Sequence, residues 1–386
     1  MKRIGILTVY YQNYNFGGQL QAYALQSFLS QCGYDAEQIQ FDYYASKEKR
    51  PGFLRRNLVL LKHKFLNSEI YEDEIKLIKR KKKFKKFINS IPHSSKIYQE
   101  TNISELNKDY DCLVCGGDQI WNDWDGASWT CSNALSIFSL GFVDNCKIAF
   151  SYAPSLGRPV LTENQKSTLK KSFGRMQGIS IREKSNLSEI SCLTDKKVHV
   201  VVDPVFLLTC EDWDSLINDK TIKGDDYAFC YFLSNDLCRA ECVKGFAKSN
   251  ELITICVPNC SGNMTTINRN EEWGDINDYE SGPIEFIKRI RDSKIVLTDS
   301  FHAVVFSIIF HKQFYVFGRT DGNSEMNNRL YDLLDDYDLK DRYISDASVL
   351  LTMTDKIINY ESIDSIININ REKSLKFIMN CIREIM

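Results

Sequence analysis

The 386-residue chain lacks any apolar run of the roughly 18 residues that a membrane-spanning helix needs. We therefore expect no integral membrane segment. The net charge is also small, −2 at pH 7, so no overall positive field would draw the protein onto nucleic acid. Nucleic acid is not expected as a partner, and binding of any polyanion would need a local cluster of basic residues.

The thirteen cysteines lack the order that disulfides or metal sites need. Their number is odd, they are scattered, and the first residues show neither the basic nor the apolar region of a secretory signal. Reduced thiols in a cytoplasmic protein are the expectation. Cys112 and Cys115 lie in an apolar run typical of a strand, where residues three apart point to opposite faces. We expect buried thiols and no metal site.

The length exceeds what one hydrophobic core usually supports, which predicts two domains. Short β-rich runs alternate with helical patterns in both halves, and this alternation is typical of a mostly parallel sheet. Two doubly wound α/β domains facing each other across a cleft are the predicted fold class. We place the domains at residues 1–215 and 216–386, with the alternative that the last helix returns to the N-terminal domain.

The predicted strands and helices follow this alternation. The strands are residues 4–10, 37–43, 111–115, 147–152, 178–182 and 198–203 in the first domain, then 227–233, 252–257, 294–298 and 313–317 in the second. The helices are residues 20–29, 163–173, 283–291 and 300–311.

Residues 47–92 are strongly basic, above all at 79–86 (KRKKKFKK). A solvated helical excursion is one interpretation. The alternative is a surface that docks on anionic lipid or on a diphosphate-bearing substrate, because clustered cations near a membrane each contribute about 1 kcal/mol.

Ligands of open α/β sheets bind at the carboxyl ends of the strands, where helix N-termini offer free backbone N–H groups. The first such turn is 13–18 (NYNFGG), with Asn15, Gly17 and Gly18 as candidate ligand-binding residues. Glycines there would let the backbone approach a ligand closely. A purely structural tight turn is the alternative, since the turn matches no nucleotide-binding glycine motif.

The second turn is 116–122 (GGDQIWN), which contains Gly117, Asp118 and Trp121. Asp118 follows a buried strand and is a candidate general base for a sugar hydroxyl. Trp121 would offer a face for stacking of a pyranose ring. The alternative is that Asp118 only caps a helix.

The third turn is 299–302 (DSFH), between an apolar strand and an apolar helix. His302 should lie in the first turn of that helix, where the helix dipole favours anions. A histidine there can hold a proton for a phosphate or give it to a substrate. Ser300 beside it strengthens the interpretation as a site, although a structural histidine is the alternative.

Arg182 ends a strand and could clamp a carboxylate or phosphate through its planar fork. A salt bridge to Glu183 is the alternative. Arg329 is a weaker candidate for anion binding. Asp203 is expected to be a structural turn residue.

Taken in order, the segments 13–25, 116–118, 180–182, 203–204 and 298–302 resemble the polysaccharide pyruvyl transferase family. The resemblance implies two Rossmann-like domains in a GT-B arrangement. It also implies transfer of pyruvate from phosphoenolpyruvate, as a cyclic ketal, onto a sugar of a polysaccharide or of its lipid-linked precursor, with release of phosphate. No cofactor or metal is implied beyond this donor.

By position, the resemblance implies that Arg182 grips phosphoenolpyruvate, that His302 is catalytic and that Asp118 lies near the acceptor sugar. Some members carry an arginine two residues before the histidine, where this chain has Ser300. A GT-B glycosyltransferase that uses a nucleotide sugar, and a non-catalytic partner in glycan assembly, are the alternative functions. A cytoplasmic location is expected, with peripheral contact at the inner face of the membrane as an extension.

Overall fold

The computed structural model describes residues 2–44, 68–123, 130–158, 160–219, 226–259, 272–320, 327–353 and 357–383. The strands are β1 (Arg3–Leu7), β2 (Asp35–Phe41), β3 (His93–Tyr98), β4 (Cys112–Gly116), β5 (Ile148–Tyr152), β6 (Ile179–Ile181), β7 (Val198–Val200), β8 (Tyr227–Tyr231), β9 (Ile253–Cys256), β10 (Ile276–Asn277), β11 (Ile295–Thr298), β12 (Gln313–Phe317) and β13 (Tyr343–Ile344). The helices are α1 (Phe16–Gln31), α2 (Ser68–Ser90), α3 (Leu106–Asp109), α4 (Ala134–Phe138), α5 (Glu163–Phe173), α6 (Leu187–Ser191), α7 (Cys210–Ile217), α8 (Leu237–Ser249), α9 (Pro283–Asp292), α10 (Phe301–Ile309), α11 (Asn328–Asp336) and α12 (Tyr360–Ile382).

Two parallel sheets organise these elements. The first has the order β3-β2-β1-β4-β5, and the second has the order β10-β9-β8-β11-β12-β13. Both follow the Rossmann pattern, in which the order reverses between two central strands and leaves a crevice at their carboxyl ends. The short pair β6-β7 continues the first sheet through a bridge from Phe150 to Gly178. The predicted fold class, two Rossmann-like domains in a GT-B-type arrangement, is confirmed.

Helix α1 begins earlier than the sequence predicts. It starts at Phe16, so Gly17 and Gly18 form its first turn and do not belong to the preceding loop. The cause is Asn15, whose side-chain Oδ1 accepts a hydrogen bond from the Gly18 backbone N–H at 2.9 Å and so caps the helix. The predicted strand 4–10 is correspondingly shorter, because β1 ends at Leu7.

The C-terminal helix α12 lies against the first sheet. The rings of Phe377 and Phe150 are 6.2 Å apart, edge to face. The Ser374 hydroxyl accepts a hydrogen bond from the Val202 backbone N–H at 3.1 Å. These contacts place the end of the chain on the N-terminal half, while the domain limits 1–215 and 216–386 stay a prediction.

The two sheets share apolar contacts across the cleft. Phe16, at the start of α1, stacks on Phe286 of α9 with ring centroids 4.4 Å apart. Trp213 of α7 meets Phe306 of α10 edge to face at 4.9 Å. These residues belong to one continuous buried cluster that includes both halves of the chain. The arrangement therefore fixes α1 close to the second sheet.

Helix α2 belongs to the N-terminal half of the chain and contacts the C-terminal half through ion pairs. Lys79 pairs with Glu280 at 2.8 Å and Lys83 pairs with Glu285 at 2.9 Å. Part of the basic run therefore forms ion pairs with acidic groups of the second half. The interpretation as a solvated helical excursion did not include these pairs. Residues 49–52 of the basic segment lie outside the described residues. None of the described helices is long and apolar enough to cross a membrane.

Arg80 of α2 is buried at the same contact. Its Nη1 donates to the Pro258 carbonyl oxygen at 2.9 Å, and its guanidinium lies 4.8 Å from the ring centroid of Phe16. Arginine suits such a position because its planar group can stack on an aromatic face and still donate hydrogen bonds. The contact connects α2 to both walls of the cleft.

The cysteines behave as buried or surface thiols. Cys112 packs in the apolar cluster that contains α1, and Cys115 packs in the cluster on the other face of the sheet. Burial raises the pKa of both thiols, which makes them unreactive. Every cysteine among the described residues is free. The prediction that this pair points to opposite faces is confirmed.

Gly116 provides a test of the first sheet. A β-carbon there would overlap the backbone carbonyl oxygen of Tyr152 on the paired strand β5. Because a backbone group cannot swing away, we expect Gly116→Ala to lower the free energy of unfolding by about 3 kcal/mol. Gly174→Ala is the matched control, since its β-carbon would meet only an ordinary contact at 3.4 Å. Urea denaturation of the two variants measures this, and equal stability would contradict the packing described.

Candidate active site

The crevices of the two sheets face each other and enclose a cavity of about 270 Å³. The turns after β1, β4, β8 and β11 all reach it. We call it the cleft cavity. Its polar lining residues are Asn15, Asp118, Gln119, Asn259, Ser300, His302, Arg319 and Arg329.

Arg182 is the centre of a buried ionic network. Its Nη1 donates to Asp203 Oδ2 at 2.6 Å, and its Nη2 donates to Asp118 Oδ1 at 3.0 Å. Nε and Nη2 also donate to Glu183 Oε1, at 3.2 and 3.0 Å. Burial opposes the charge, but the three carboxylates outweigh it and hold the pKa of Arg182 above its ordinary value. The guanidinium lies 4.3 Å from the ring centroid of Phe301.

The predicted role of Arg182 as a clamp on the donor stays a prediction. A guanidinium has five N–H groups, and the four hydrogen bonds to Asp118, Glu183 and Asp203 occupy most of them. The structure shows the alternative, ion pairing, and extends it from Glu183 to two further carboxylates. Arg182 organises the site, and it does not line the cleft cavity.

Asp118 lies between two arginines. Its Oδ1 accepts hydrogen bonds from Arg182 and, at 2.8 Å, from Arg329 Nη1. Burial alone would raise the pKa of Asp118, but the charges of Arg329 and Arg182 hold it well below its usual range. A carboxylate in this state is ionised and is a weak base. Asp118 nevertheless lines the cleft cavity, where it can accept a hydrogen bond.

His302 lies in the first turn of α10 and is almost fully buried. Its Nε2 is 3.6 Å from Asp203 Oδ2, an ion-pair distance that is too long for a hydrogen bond, and this nitrogen has no hydrogen-bond partner in the structure. The ring packs directly on α1, because a β-carbon on Gly17 would overlap the imidazole. Gly17 thus permits the close approach of His302, whereas the sequence analysis expected this glycine to permit the close approach of a ligand.

Asp203 is a functional candidate to which the sequence analysis gave only a structural role. Its Oδ1 accepts from the Val205 backbone N–H at 3.0 Å, which is the expected structural role. Its Oδ2 meanwhile faces Arg182 and His302. Burial would raise the pKa of Asp203, but these neighbours lower it, so the carboxylate is ionised beside the imidazole. The signal was its position shortly after β7, since the carboxyl-end rule applies to that strand as well.

The turn 299–302 begins with a structural residue, Asp299, and continues with residues that line the cleft cavity. Asp299 is buried and accepts from the Leu233 N–H at 2.5 Å and from the Ser234 hydroxyl at 2.5 Å, which ties the end of β8 to the end of β11. Ser300 is the N-cap residue of α10, but its side chain makes no capping hydrogen bond. Ser300 lines the cleft cavity beside His302.

The prediction that Trp121 stacks on a sugar is wrong. The indole is fully buried and packs against Phe173 of α5, with ring centroids 5.3 Å apart. The turn that follows β4 directs Asp118 and Gln119 into the cleft cavity, and it directs Trp121 into the core on the outer face of the sheet. No face of the ring is accessible to a ligand.

Two of the predicted glycines also have structural roles. Gly18 donates its N–H to Asn15, and Gly117 has a φ of +108°, a conformation that favours glycine. A β-carbon on Gly117 would overlap the side chain of Gln21. Neither glycine lines the cleft cavity, whereas Asn15 does.

Two arginines of the second half do line it. Arg329 comes from α11 and pairs with Asp118. Arg319 comes two residues after β12, and its backbone N–H donates to Asn327 Oδ1 at 3.0 Å. The sequence analysis missed Arg319, although it also follows the carboxyl end of a strand.

Within the described ranges, no group of three or more histidine, cysteine or acidic side chains could hold a metal ion. The clustered carboxylates of Asp118, Glu183 and Asp203 are instead bound by Arg182. The site is built from arginines, carboxylates and one histidine.

Comparison with known proteins gives one family. The model of the family described as polysaccharide pyruvyl transferase matches residues 15–321. No curated protein matches the chain. Among solved structures, UDP-GlcNAc 2-epimerase from Neisseria meningitidis is similar with a TM-score of 0.47 and 11% identity, covering 97% of this chain and 100% of that one. Acinetobacter baumannii MurG is similar with a TM-score of 0.43 and 9% identity, covering all of both chains.

The Arg182 network makes a prediction about stability and pH. Arg182→Gln leaves the buried carboxylates without their shared cation, so we expect a loss of about 3–5 kcal/mol in the free energy of unfolding at pH 7. Arg182 keeps the pKa values of Asp118 and Asp203 low, and a lowered pKa adds stability above the unfolded value that is lost as the pH falls.

The difference between wild type and Arg182→Gln should therefore be fully present above about pH 4, the ordinary pKa of an aspartate, and narrow as the pH falls below it. Urea denaturation across this range measures it. Arg175→Gln, which removes a single hydrogen bond to the Val143 carbonyl, is the control. A difference that does not narrow below about pH 4, or one no larger than that of the control, would contradict the network.

Proposed function

The chain belongs to the polysaccharide pyruvyl transferase family, and we propose that it transfers pyruvate from phosphoenolpyruvate onto two hydroxyls of a saccharide as a cyclic ketal, with release of phosphate. The acceptor would be a sugar of a polysaccharide or of its lipid-linked precursor. The observation that carries the proposal is the position of His302: it lines a cavity that two arginines also line, and an ionised carboxylate lies behind its ring.

The cleft cavity suits an anionic donor. Phosphoenolpyruvate carries a phosphate and a carboxylate on one small carbon skeleton. Arg319 and Arg329 line the cavity, and guanidinium groups pair with such anions through parallel hydrogen bonds. The start of α10 adds backbone N–H groups and the positive end of the helix dipole.

His302 is proposed as the acid of the first step. Its proton would pass to the methylene carbon of phosphoenolpyruvate, which becomes a methyl group, and C2 would become electrophilic as an oxocarbenium ion. The Asp203 carboxylate lies 3.6 Å from Nε2 and holds the imidazole in place for this transfer. Asp203 is thereby a positioning residue that acts through His302.

The remaining steps exchange one C–O bond for two. One acceptor hydroxyl bonds to C2 and loses its proton, the bond from C2 to the phosphate oxygen breaks, and the second hydroxyl closes the ketal with loss of its proton. One of these protons restores the acid and the other leaves with phosphate. Asp118 would accept the first hydroxyl proton. A weak base is sufficient there, because a hydroxyl bonded to an oxocarbenium carbon is strongly acidic.

Turnover tests the proposal directly. Wild type incubated with phosphoenolpyruvate and a panel of saccharide acceptors should release phosphate and add one pyruvyl ketal to an acceptor, as measured by a phosphate assay and mass spectrometry. His302→Ala should lower the rate at least about a hundredfold, because the acid is lost. His311→Ala, which changes an exposed histidine paired with Asp364, should leave the rate unchanged.

Neither phosphate release nor a mass change across the panel would count against the transferase proposal. Thermal stabilisation by a nucleoside diphosphate and not by phosphoenolpyruvate would then favour the nucleotide-sugar alternative. Undiminished turnover by His302→Ala would remove His302 from the chemistry and leave the activity standing.

We further propose a cytoplasmic location with peripheral contact at the inner face of the membrane. Lys82, Lys85 and Lys86 of α2 are exposed, and they leave a cationic face after Lys79 and Lys83 are paired. Such lysines near an anionic surface each contribute about 1 kcal/mol. A lipid-linked acceptor would be brought to the cleft by this contact.

Vesicle sedimentation tests the membrane contact. Changing Lys82, Lys85 and Lys86 to Gln should weaken binding to vesicles that contain anionic lipid, and the effect should shrink at high salt. The same change at the exposed residues Lys108, Lys170 and Lys171 removes equal charge from another surface and should have a smaller effect. Equal sedimentation of the two triple variants would refute the contact.

A further inference from the structure

A second cavity, of about 220 Å³, lies beside the cleft cavity. Arg182 lines this second cavity but not the cleft cavity, so the two spaces lie on different sides of its ionic network. Phe301 and Arg329 line both. The two cavities are therefore neighbours that share one wall.

The second cavity is built by three parts of the chain. The segment from β6 to the end of β7 forms one wall, α11 forms another, and the returning C-terminal helix α12 contributes Asn370 and Lys373. Lys184, Val200 and Lys373 are exposed, so the cavity opens to solvent at these residues. The helix that returns to the N-terminal half thus completes a space that a ligand can enter.

The lining of the second cavity favours a neutral ligand. Phe206 and Tyr337 give it an apolar surface, with their ring centroids 5.6 Å apart. Four cationic and four acidic side chains also line it: Arg182, Lys184, Arg329 and Lys373, and Glu183, Asp203, Asp332 and Asp336. Because these charges balance, neither an anion nor a cation gains a net attraction. An apolar surface with a few polar groups is typical of sites for small uncharged molecules.

Glu183 indicates which polar groups such a ligand carries. Its Oε1 accepts two hydrogen bonds from Arg182, whereas its Oε2 is buried without a hydrogen-bond partner. A carboxylate oxygen can only accept, so the missing partner is a donor. Asp332 and Asp336, both half-buried, add further acceptors to the same cavity. A sugar ring, which combines several hydroxyl donors with apolar C–H faces, matches this lining.

We propose that the second cavity binds a sugar unit of the acceptor, the unit next to the one that receives pyruvate. The identity of the ligand as a saccharide rests on the proposed function. The wall shared through Phe301 and Arg329 places this unit beside the cavity assigned to the donor. The preferred acceptor then contains at least two sugars, and the wild type should show a KM for a disaccharide about tenfold below that for the corresponding single sugar.

Filling the second cavity tests the assignment. Asn370→Trp should raise the KM for a disaccharide acceptor about tenfold, because the hydrogen bonds of the second sugar are lost. The KM for the single sugar and the KM for phosphoenolpyruvate should stay unchanged. Asn368→Trp places the same bulk on an exposed position of α12 and should behave as wild type does.

Removing an acceptor group from α11 gives a second, smaller change. Asp336→Ala should raise the KM for the disaccharide alone, because a hydrogen-bonding group of the cavity is lost. Asp335→Ala is the matched control, since its carboxylate pairs with Lys340 and does not line the cavity. Equal thermal denaturation of the variants establishes that they are folded.

The outcomes separate this assignment from the transferase function. If the wild type transfers pyruvate but Asn370→Trp leaves the disaccharide KM unchanged, or raises the KM of single sugar and disaccharide alike, the assignment is overturned and the function stands. Saturation-transfer NMR with a panel of disaccharides gives a readout without turnover. Disaccharide binding that Asn370→Trp abolishes and Asn368→Trp retains, in a protein that never consumes phosphoenolpyruvate, supports the sugar site and refutes the function. Folded wild type that neither binds nor modifies any disaccharide overturns the assignment.

Discussion

The pairing of Arg182 with three carboxylates determines how the strand ends of the first domain meet. Asp118 follows β4, Glu183 follows β6 and Asp203 follows β7, and the guanidinium binds all three. A buried charge that loses its partner is costly, so these turns cannot move independently. The network also extends across the cleft, because Asp203 faces His302 and Asp118 binds Arg329. The relative position of the two domains and the shape of the cavity depend on it.

Packing reinforces this electrostatic arrangement. Gly17 lets α1 approach His302 so closely that no larger residue fits there. Phe16, next to it, stacks on Phe286 of the second domain, and Arg80 of α2 covers its ring. The histidine therefore lies between the start of α1 on one side and an ionised carboxylate on the other. A proton donor placed in this way needs little reorganisation when a substrate binds.

Much of this could be predicted from the sequence, because alternating strand and helix patterns mark a doubly wound fold and its ligands lie at strand ends. That rule led to His302 and Asp118, although neither role in catalysis follows from it. It missed Asp203 and Arg319, because the sequence around a polar residue after a strand does not show whether that residue faces a cleft. The prediction for Trp121 was wrong for a related reason, because local spacing does not show which side of a turn is buried.

The central claim is that one cavity holds the donor between His302 and the arginines of the second domain. A crystal structure with phosphoenolpyruvate, or an unreactive analogue, tests it most directly. We expect the phosphate to contact Arg319 and Arg329, with the methylene carbon directed at the His302 imidazole and the Arg182 network unchanged. A ligand bound outside this cavity, or one held by Arg182 after its carboxylates have separated, would contradict the account.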